Sequence, residues 1–148
     1  METVEKTIEK LRVLDKRITP QLIEVLKVME GNTSHPSAGD VYEKVKKIFP
    51  TISLNTVYNI LKTLNATGQI QEILIDRERS KYDSNVTLHH HIICNGCKRI
   101  DDIFIDLVDL AKLPDVIIAK YNIKDYHVDL YGYCKDCKDK GSQEDSQT

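Results

Sequence analysis

Residues 81–97, KYDSNVTLHHHIICNGC, bring two kinds of metal ligand into one short stretch. Asp83 precedes three consecutive histidines, and a pair of cysteines in a CxxC arrangement follows them. Thiolates are soft ligands, whereas imidazole nitrogen and carboxylate oxygen are harder, so the two groups favour different metals. The stretch therefore predicts metal chemistry of two kinds, at the point where a helical half of the chain meets a half rich in strands.

The four cysteines form two CxxC pairs, Cys94 with Cys97 and Cys134 with Cys137. Four thiolates can enclose one zinc ion in tetrahedral geometry, which is typical of a structural site. Gly96 would let the backbone curl so that both sulfurs of the first pair face the ion. Two disulfides or a single redox-active CxxC are the alternatives, and a reducing compartment disfavours the disulfides. A predicted strand, helix and strand separate the pairs, so zinc would join the first strand of the second half to its last.

A second candidate site contains histidines and carboxylates. His89 and His91 are two positions apart on a predicted strand, so their side chains share a face and His90 points to the other. Asp83 ends the preceding hairpin and Asp102 lies on the next strand, so both could approach the two imidazoles. Such ligands suit Fe(II), Mn(II) or Zn(II). The alternative is a solvated edge strand.

Two further histidines lie apart from this run. His35 precedes Pro36 at the start of the third predicted helix, in the other half of the chain. His127 stands alone, and a surface role is the simpler interpretation for it.

The bulk composition favours a folded protein of one or two small domains. The chain has 148 residues, of which 41% are hydrophobic and 30% charged, and it contains no tryptophan. The charged opening METVEKTIEK lacks the apolar segment of a signal peptide, and no run is long enough to span a membrane, so we expect a cytoplasmic protein. The net charge of −2 means that any contact with DNA must come from a local basic patch.

The first half reads as helices followed by a hairpin. Predicted helices cover 3–14, 19–31, 37–50 and 53–68, with Thr19, Ser37 and Ser53 as N-caps and Asp40 completing a capping box. The stripe Val41, Val45, Ile48 and Phe49 is predicted to be buried in the third helix, and Val57, Ile60, Leu61 and Leu64 in the fourth. Two short strands around DRER follow, and this order predicts a winged-helix domain.

The second half is predicted as strands with a helix that Pro114 splits or restarts. We therefore expect an α+β fold, with a winged-helix DNA-binding domain at 1–84, a small α/β dimerisation domain with a structural zinc site at 85–140, and a disordered tail at 141–148.

One polar face of the fourth helix has the chemistry of DNA recognition. Asparagine can pair with adenine, tyrosine can pack on a thymine methyl group, and lysine can meet a phosphate. The face contains Asn55, Tyr58, Asn59 and Lys62, with Thr56 beside it. An ordinary solvated helix face is the alternative.

Three motifs resemble the ferric uptake regulator superfamily of bacterial transcription factors. They are HPSAGDVYEKVKKIFPTISLNTVYNIL at 35–61, YDSNVTLHHHIICNGCKRIDD at 82–102 and LYGYCKDC at 130–137. The chain is most similar to the peroxide-sensing branch. Asn59 favours that branch, because iron sensors usually have arginine there, and iron sensors commonly have glutamates where Asp83 and Asp102 stand.

The resemblance implies a set of functional residues. The ligands of the regulatory ion would be His35, Asp83, His89, His91 and Asp102, and Arg17 would meet the minor groove. It implies a homodimer that represses transcription on double-stranded operator DNA with Fe(II) or Mn(II) bound. Peroxide oxidation of His35 or His89 would release it. An iron-sensing or other divalent-metal-sensing repressor without peroxide sensing is the alternative within the superfamily.

The chain departs from the superfamily pattern at several positions. Leu22 replaces a basic residue that often follows the PQ pair. His90 stands where many iron sensors have an aspartate of a third metal site. Asp109 could serve that site, but Tyr126 takes the place of its histidine and His127 is one residue out of register. We therefore leave a third site out of the expected set.

Two other functional classes remain open from the residues alone. Two histidines and a carboxylate can form the facial triad of an oxygenase, although no substrate pocket is evident and five protein ligands leave little open coordination. A zinc-stapled binding module without a regulatory ion is the other possibility. We expect a regulator rather than an enzyme, with no small-molecule partner except peroxide as a signal.

Overall fold

The computed structural model describes residues 3–76, 79–106, 113–123 and 126–141. The chain divides into two compact units, Met1–Val86 and Thr87–Thr148. Helices and a two-stranded hairpin make up the first, and a three-stranded sheet forms the centre of the second. The predicted α+β class is therefore confirmed, with a helical N-terminal part and a sheet-containing C-terminal part. The functional roles assigned to 1–84 and 85–140 stay predictions, and 142–148 lie outside the described residues.

The first unit begins with four helices: α1 (Val4–Val13), α2 (Pro20–Met29), α3 (Ala38–Val45) and α4 (Leu54–Ala66). The predicted caps are confirmed. Thr19 and Ser53 each accept a hydrogen bond from the backbone N–H three residues on, and Ser37 and Asp40 form a capping box. These contacts satisfy amides that have no partner within the helix, so the short helices begin at defined residues.

The core of this unit is aliphatic and includes the predicted stripe of α4. Val57, Leu61 and Leu64 have no exposed surface and Ile60 is also buried. The predicted stripe of α3 is confirmed only in part, because the helix ends at Val45 rather than near Pro50. Beyond that point the helical periodicity no longer applies, and Ile48 is 57% exposed.

The hairpin consists of β1 (Gln71–Asp76) and β2 (Arg79–Asp83), paired antiparallel. Strand β2 also contacts the segment before α3. The N–H of Tyr82 donates to the carbonyl of Pro36 at 2.9 Å, and Ser37 and Lys81 form an isolated bridge. The end of β2 is thereby fixed beside residue 35.

The second unit contains β3 (His90–Cys94), β4 (Ile100–Ile103) and β5 (Asp129–Gly132), in the order β4-β3-β5. Strand β3 pairs antiparallel with β4 and parallel with β5. A parallel pair requires a long crossover, and the crossover between β4 and β5 includes α5 (Asp115–Lys120), which begins after Pro114. Helix α6 (Lys135–Gly141), which includes Cys137, was not predicted.

The helices in the described parts of the chain are too short or too polar to pass through a lipid bilayer.

Candidate functional site

The four cysteines converge at one end of the three-stranded sheet. Cys94 is the last residue of β3, Cys134 follows β5, and the four sulfurs lie within 4.8 Å of one another. The sulfurs of Cys97 and Cys134 are 3.8 Å apart. Zinc–sulfur bonds of about 2.3 Å in a tetrahedron place sulfurs roughly 3.8 Å apart, so the cluster has the dimensions of a structural zinc site. All four cysteines are free thiols, not disulfides.

Backbone amides are directed at this cluster. The N–H of Cys134 donates to Sγ of Cys94 at 3.3 Å. Hydrogen bonds from the amides of Cys134, Cys97 and Gly96 lower the pKa of Cys94 to about 6, which favours its thiolate. Hydrogen bonding to the other sulfurs raises the pKa of Cys137 to about 12. Four thiolates at this spacing repel one another unless a cation lies between them, so the donor set fits a divalent ion.

Gly96 is required here for a reason that the sequence analysis did not include. The positive-φ glycines of the described chain are Gly31 and Gly68, so Gly96 does not provide a left-handed turn. A Cβ at Gly96 would instead lie 2.8 Å from Cβ and 2.9 Å from Sγ of Cys137. The absence of a side chain therefore lets the second CxxC pair pack against the first.

The second unit brings two of the predicted histidines to one carboxylate. His91 in β3 is the register partner of Asp102 in β4. Oδ1 of Asp102 lies 3.7 Å from Nε2 of His91 and 3.5 Å from Nε2 of His89. These separations are long for hydrogen bonds, and they fit three ligands around one ion with bonds of about 2.1 Å.

The tautomer of His89 follows from its other nitrogen. Nδ1 lies 2.8 Å from the carbonyl oxygen of Thr87, which can only accept, so Nδ1 carries the proton. In the neutral ring, Nε2 then presents a lone pair toward Asp102. The Phe104 ring stacks on His89 at a centroid distance of 5.3 Å and restricts its orientation. A lone pair facing a carboxylate is an arrangement that a cation stabilises.

The opposite side of the His91 ring contacts two residues that the sequence analysis did not assign to the site. Nδ1 of His91 lies 3.0 Å from Nε2 of His127 and 3.5 Å from Oδ1 of Asp129. Burial lowers the pKa of His127, which favours a neutral ring. The signal in the sequence was the spacing of His127 and Asp129, two residues apart at a predicted strand, which places them on one face.

His90 points away from this group, as alternation predicts. It is 2% exposed, and its ring packs on Tyr126 at a centroid distance of 5.1 Å. The His127 ring centroid is 6.2 Å away. Asp109, the remaining candidate for a third site, lies outside the described residues.

The first unit holds the other two predicted ligands of the regulatory ion. Nε2 of His35 lies 3.8 Å from Oδ2 of Asp83, and both side chains are buried. The pairing of β2 with the segment before α3 brings them together. His35 has a φ of 47°, an uncommon value for a residue other than glycine, and such conformations cluster at functional positions.

The polar face of α4 is presented to solvent. Asn55, Thr56, Tyr58, Asn59 and Lys62 are all exposed, and so is Arg17 before α2. The hydroxyl of Thr56 lies 2.9 Å from that of Ser53, so Thr56 also takes part in capping the helix. The face is thus available for contacts while the opposite stripe holds the core.

Known proteins are similar to this chain in sequence and in fold. The sequence profile of the ferric uptake regulator family matches residues 14–133. The chain belongs to this family. It is 31% identical over 139 residues to the peroxide-responsive repressor PerR of Staphylococcus epidermidis. The aligned region covers 94% of this chain and 93% of that protein.

Solved structures of the family agree with the fold. The ferric uptake regulator of Francisella tularensis with iron has a TM-score of 0.71 at 29% identity, covering 82% of this chain and 94% of that chain. The structure of PerR from Streptococcus pyogenes concerns peroxide sensing and gene regulation. It has a TM-score of 0.54 at 33% identity, covering 93% of this chain and 94% of that chain. The chain is therefore a metal-responsive regulator of the ferric uptake regulator family, whose members are dimeric DNA-binding proteins rather than enzymes.

Proposed function

We propose that the protein is a transcriptional repressor that binds operator DNA as a homodimer when Fe(II) or Mn(II) occupies a nitrogen and oxygen site. The observation that carries this proposal is the convergence of His89 and His91 on one oxygen of Asp102. With Cys94, Cys97, Cys134 and Cys137 suited to structural Zn(II), these harder ligands remain for a regulatory ion.

The proposed regulatory ion is held by ligands from both units. His35 and Asp83 would provide two ligand groups, and His89, His91 and Asp102 would provide three. Either set alone leaves an octahedral ion with several water ligands, whereas five protein ligands would hold it firmly. Five residues lie between Asp83 and His89, so the six Cα-to-Cα steps of the connecting chain reach at most about 21 Å.

Ligands divided between two units give a physical basis for switching. An ion that needs all five is bound most tightly when the units adopt one relative orientation, and binding stabilises that orientation. Shifting the population from almost none to almost all requires a preference of about 5.5 kcal/mol, which several metal–ligand bonds can supply. In a dimer, the selected orientation would set the distance between the two recognition helices and match it to the operator half-sites.

The recognition surface that we propose is the exposed face of α4 in a winged-helix domain. Asn55 and Asn59 would read adenine edges, Tyr58 would pack on thymine methyl groups, and Lys62 would neutralise phosphate. Thr56 stands beside them, and Arg17 is proposed at the minor groove. The exposure of these side chains supports the assignment.

We further propose that peroxide reverses DNA binding. Three observations support the peroxide-sensing branch. Aspartates stand at 83 and 102 where iron sensors commonly have glutamates, Asn59 stands where they usually have arginine, and the relatives include PerR proteins. When bound, Fe(II) supplies the electron that begins the reduction of hydrogen peroxide, which Mn(II) does not. In the net reaction, one oxygen atom of the peroxide would enter a C–H bond of the imidazole of His35 or His89 and the other would leave as water, and the oxidised ring would no longer serve as a ligand.

Operator binding measured against metal identity tests this function. Affinity should rise with Fe(II) and with Mn(II), and peroxide should abolish it only in the Fe(II) form. Mass spectrometry of tryptic peptides should then show one added oxygen on the peptide that contains His35 or His89. If both metals support binding and peroxide modifies neither form, the protein senses metal only, which the similarity to the iron-bound Francisella regulator would favour. Full operator affinity without any regulatory ion would contradict the proposal.

A further inference from the structure

The two histidines that face Asp102 differ in what fixes their other nitrogen. Nδ1 of His89 is fixed by the backbone carbonyl of Thr87, which substitution cannot remove. Nδ1 of His91 instead lies close to the side chains of His127 and Asp129. Substitution of these two residues, which lie outside the proposed ligand set, can therefore change the orientation of the His91 ring.

Sheet register places these side chains in a row. His91 on the central strand β3 pairs with Asp102 on one side and with Asp129 on the other. Paired residues project to the same face of a sheet, so the imidazole stands between two carboxylates. His127 precedes Asp129 by two residues, and the N–H of His91 donates to the carbonyl of Val128 at 3.2 Å, which aligns this segment with β3.

The distances along this row allow one consistent set of protons. A neutral imidazole has one N–H and one lone pair. If Nε2 of His91 is to bind an ion, Nδ1 must carry the proton and donate to Nε2 of His127, 3.0 Å away. Nδ1 of His127 then carries its own proton, and it lies 3.4 Å from Oδ1 of Asp129, an electrostatic contact that is longer than an ordinary hydrogen bond.

We propose that His127 and Asp129 are positioning residues that hold His91 in the tautomer and orientation that direct Nε2 toward the regulatory ion. The inference rests on the proposed function, because it concerns the same ion. Outer partners of this kind fix the tautomer of metal-bound histidines, and their loss typically weakens metal binding by about 10-fold to 100-fold.

The side chains of His91, His127 and Asp129 could instead hold a second cation, since their ligand atoms lie within 4.8 Å of one another. The shared ring argues against that arrangement. A neutral His91 has a single lone pair, so two ions could share the ring only if it lost its last proton. Hydrogen bonding needs no such loss, and the 3.0 Å separation is that of a hydrogen bond.

The test uses the full-length, zinc-loaded chain and Mn(II) titration followed by electron paramagnetic resonance of the free ion. His127→Ala should weaken Mn(II) binding by about 10-fold or more. His127→Gln should stay within about 3-fold of the unmodified protein, because its amide oxygen can accept from Nδ1 of His91. Asp129→Ala should show a smaller loss in the same direction. Asp101→Asn, an exposed carboxylate in β4 that is paired with Arg99, is the matched control and should leave Mn(II) affinity unchanged.

A second measurement separates positioning from a general structural effect. In the protein without regulatory metal, imidazole ¹⁵N shifts should show His91 protonated at Nδ1, and His127→Ala should give a mixture of both tautomers. An unchanged His91 tautomer together with unchanged Mn(II) affinity in His127→Ala would overturn the inference. So would a second Mn(II) per chain that His127→Ala removes. If the unmodified protein binds no Mn(II), the proposed function fails, while the ¹⁵N shifts still decide whether His127 sets the tautomer.

Discussion

His91 and Asp102 lie opposite each other on β3 and β4, with Nε2 of the histidine 3.7 Å from Oδ1 of the aspartate. The same oxygen lies 3.5 Å from His89. One carboxylate oxygen thus lies close to both histidines, at positions that are set by the sheet register. Substitution of this carboxylate is therefore the most direct test of the proposed metal response.

Replacement of Asp102 by alanine should abolish the metal response while the protein stays folded. Its carboxylate is the shared partner of both histidines, and because the loss of outer partners alone costs about 10-fold to 100-fold, Mn(II) affinity should fall by at least about 10-fold. Operator binding titrated with Mn(II) gives the result. Asp101→Ala removes the neighbouring carboxylate on the other face of β4 and should leave the titration unchanged. A normal Mn(II) response in Asp102→Ala would rule out this site.

Replacement of Gly96 by alanine should disrupt the cysteine cluster. The new methyl group would lie 2.8 Å from Cβ of Cys137, a contact that side chains do not tolerate, so the second CxxC pair must move. The rate of zinc release to a chromogenic chelator should increase and the melting temperature should fall. Gly132→Ala is the control within the same sheet, since its Cβ would meet no atom within 4 Å. Equal zinc release from both variants would contradict the packing argument.

Two residues on opposite faces of α4 should separate stability from DNA binding. Leu61 has no exposed surface, so Leu61→Ala should lower the free energy of unfolding by about 2–5 kcal/mol. Tyr58 is 47% exposed, so Tyr58→Ala should weaken operator binding with little effect on stability. Urea denaturation and an operator-binding assay measure the two quantities. The assignment of faces is wrong if Tyr58→Ala destabilises the protein as much as Leu61→Ala does.

Lys62 should contribute a phosphate contact that salt can screen. Lys62→Ala should weaken binding to all DNA sequences and reduce the slope of log affinity against log salt by about 1. Lys27→Ala, which removes an exposed lysine from α2, is the control. An unchanged salt slope in Lys62→Ala would place the lysine outside the interface.

Asp40 should stabilise α3 only while it is ionised. Hydrogen bonds from the side chain and backbone of Ser37 hold the pKa of Asp40 below its ordinary value of 3.8. A lowered carboxyl pKa stabilises the fold above the unfolded value, and this contribution is lost as pH falls through the folded value. Asp40→Asn should therefore cost about 0.5–1 kcal/mol at neutral pH and almost nothing in strong acid, as urea denaturation at both pH values would measure. Glu43→Gln, on the exposed face of the same helix, is the control, and a cost that persists in strong acid would contradict the argument.

Local signals in the sequence were sufficient for the helix starts of the first unit. Thr19, Ser37 and Ser53 cap their helices as predicted, because capping depends on residues within one turn. Ile48 was assigned wrongly because α3 ends at Val45, and periodicity alone does not show where a helix ends.

The second unit was harder to predict because its contacts join distant segments. The convergence of the four cysteines could be predicted from ligand type and spacing. The contact of His91 with His127 depends on parallel pairing of β3 with β5, which no local pattern reveals. Gly96 was recognised, but its close approach to Cys137 also comes from that pairing and from α6.

The parallel pairing of β3 with β5 couples the position of the cysteine cluster to that of the residues that we propose to sense metal. Cys94 lies opposite Gly132 in the same register that sets His91 opposite Asp129. A slip of one residue would turn Asp129 to the other face of the sheet and away from the imidazole. If the cluster holds zinc as proposed, loss of zinc would then weaken the proposed response to iron or manganese, although none of the nitrogen and oxygen ligands had been altered.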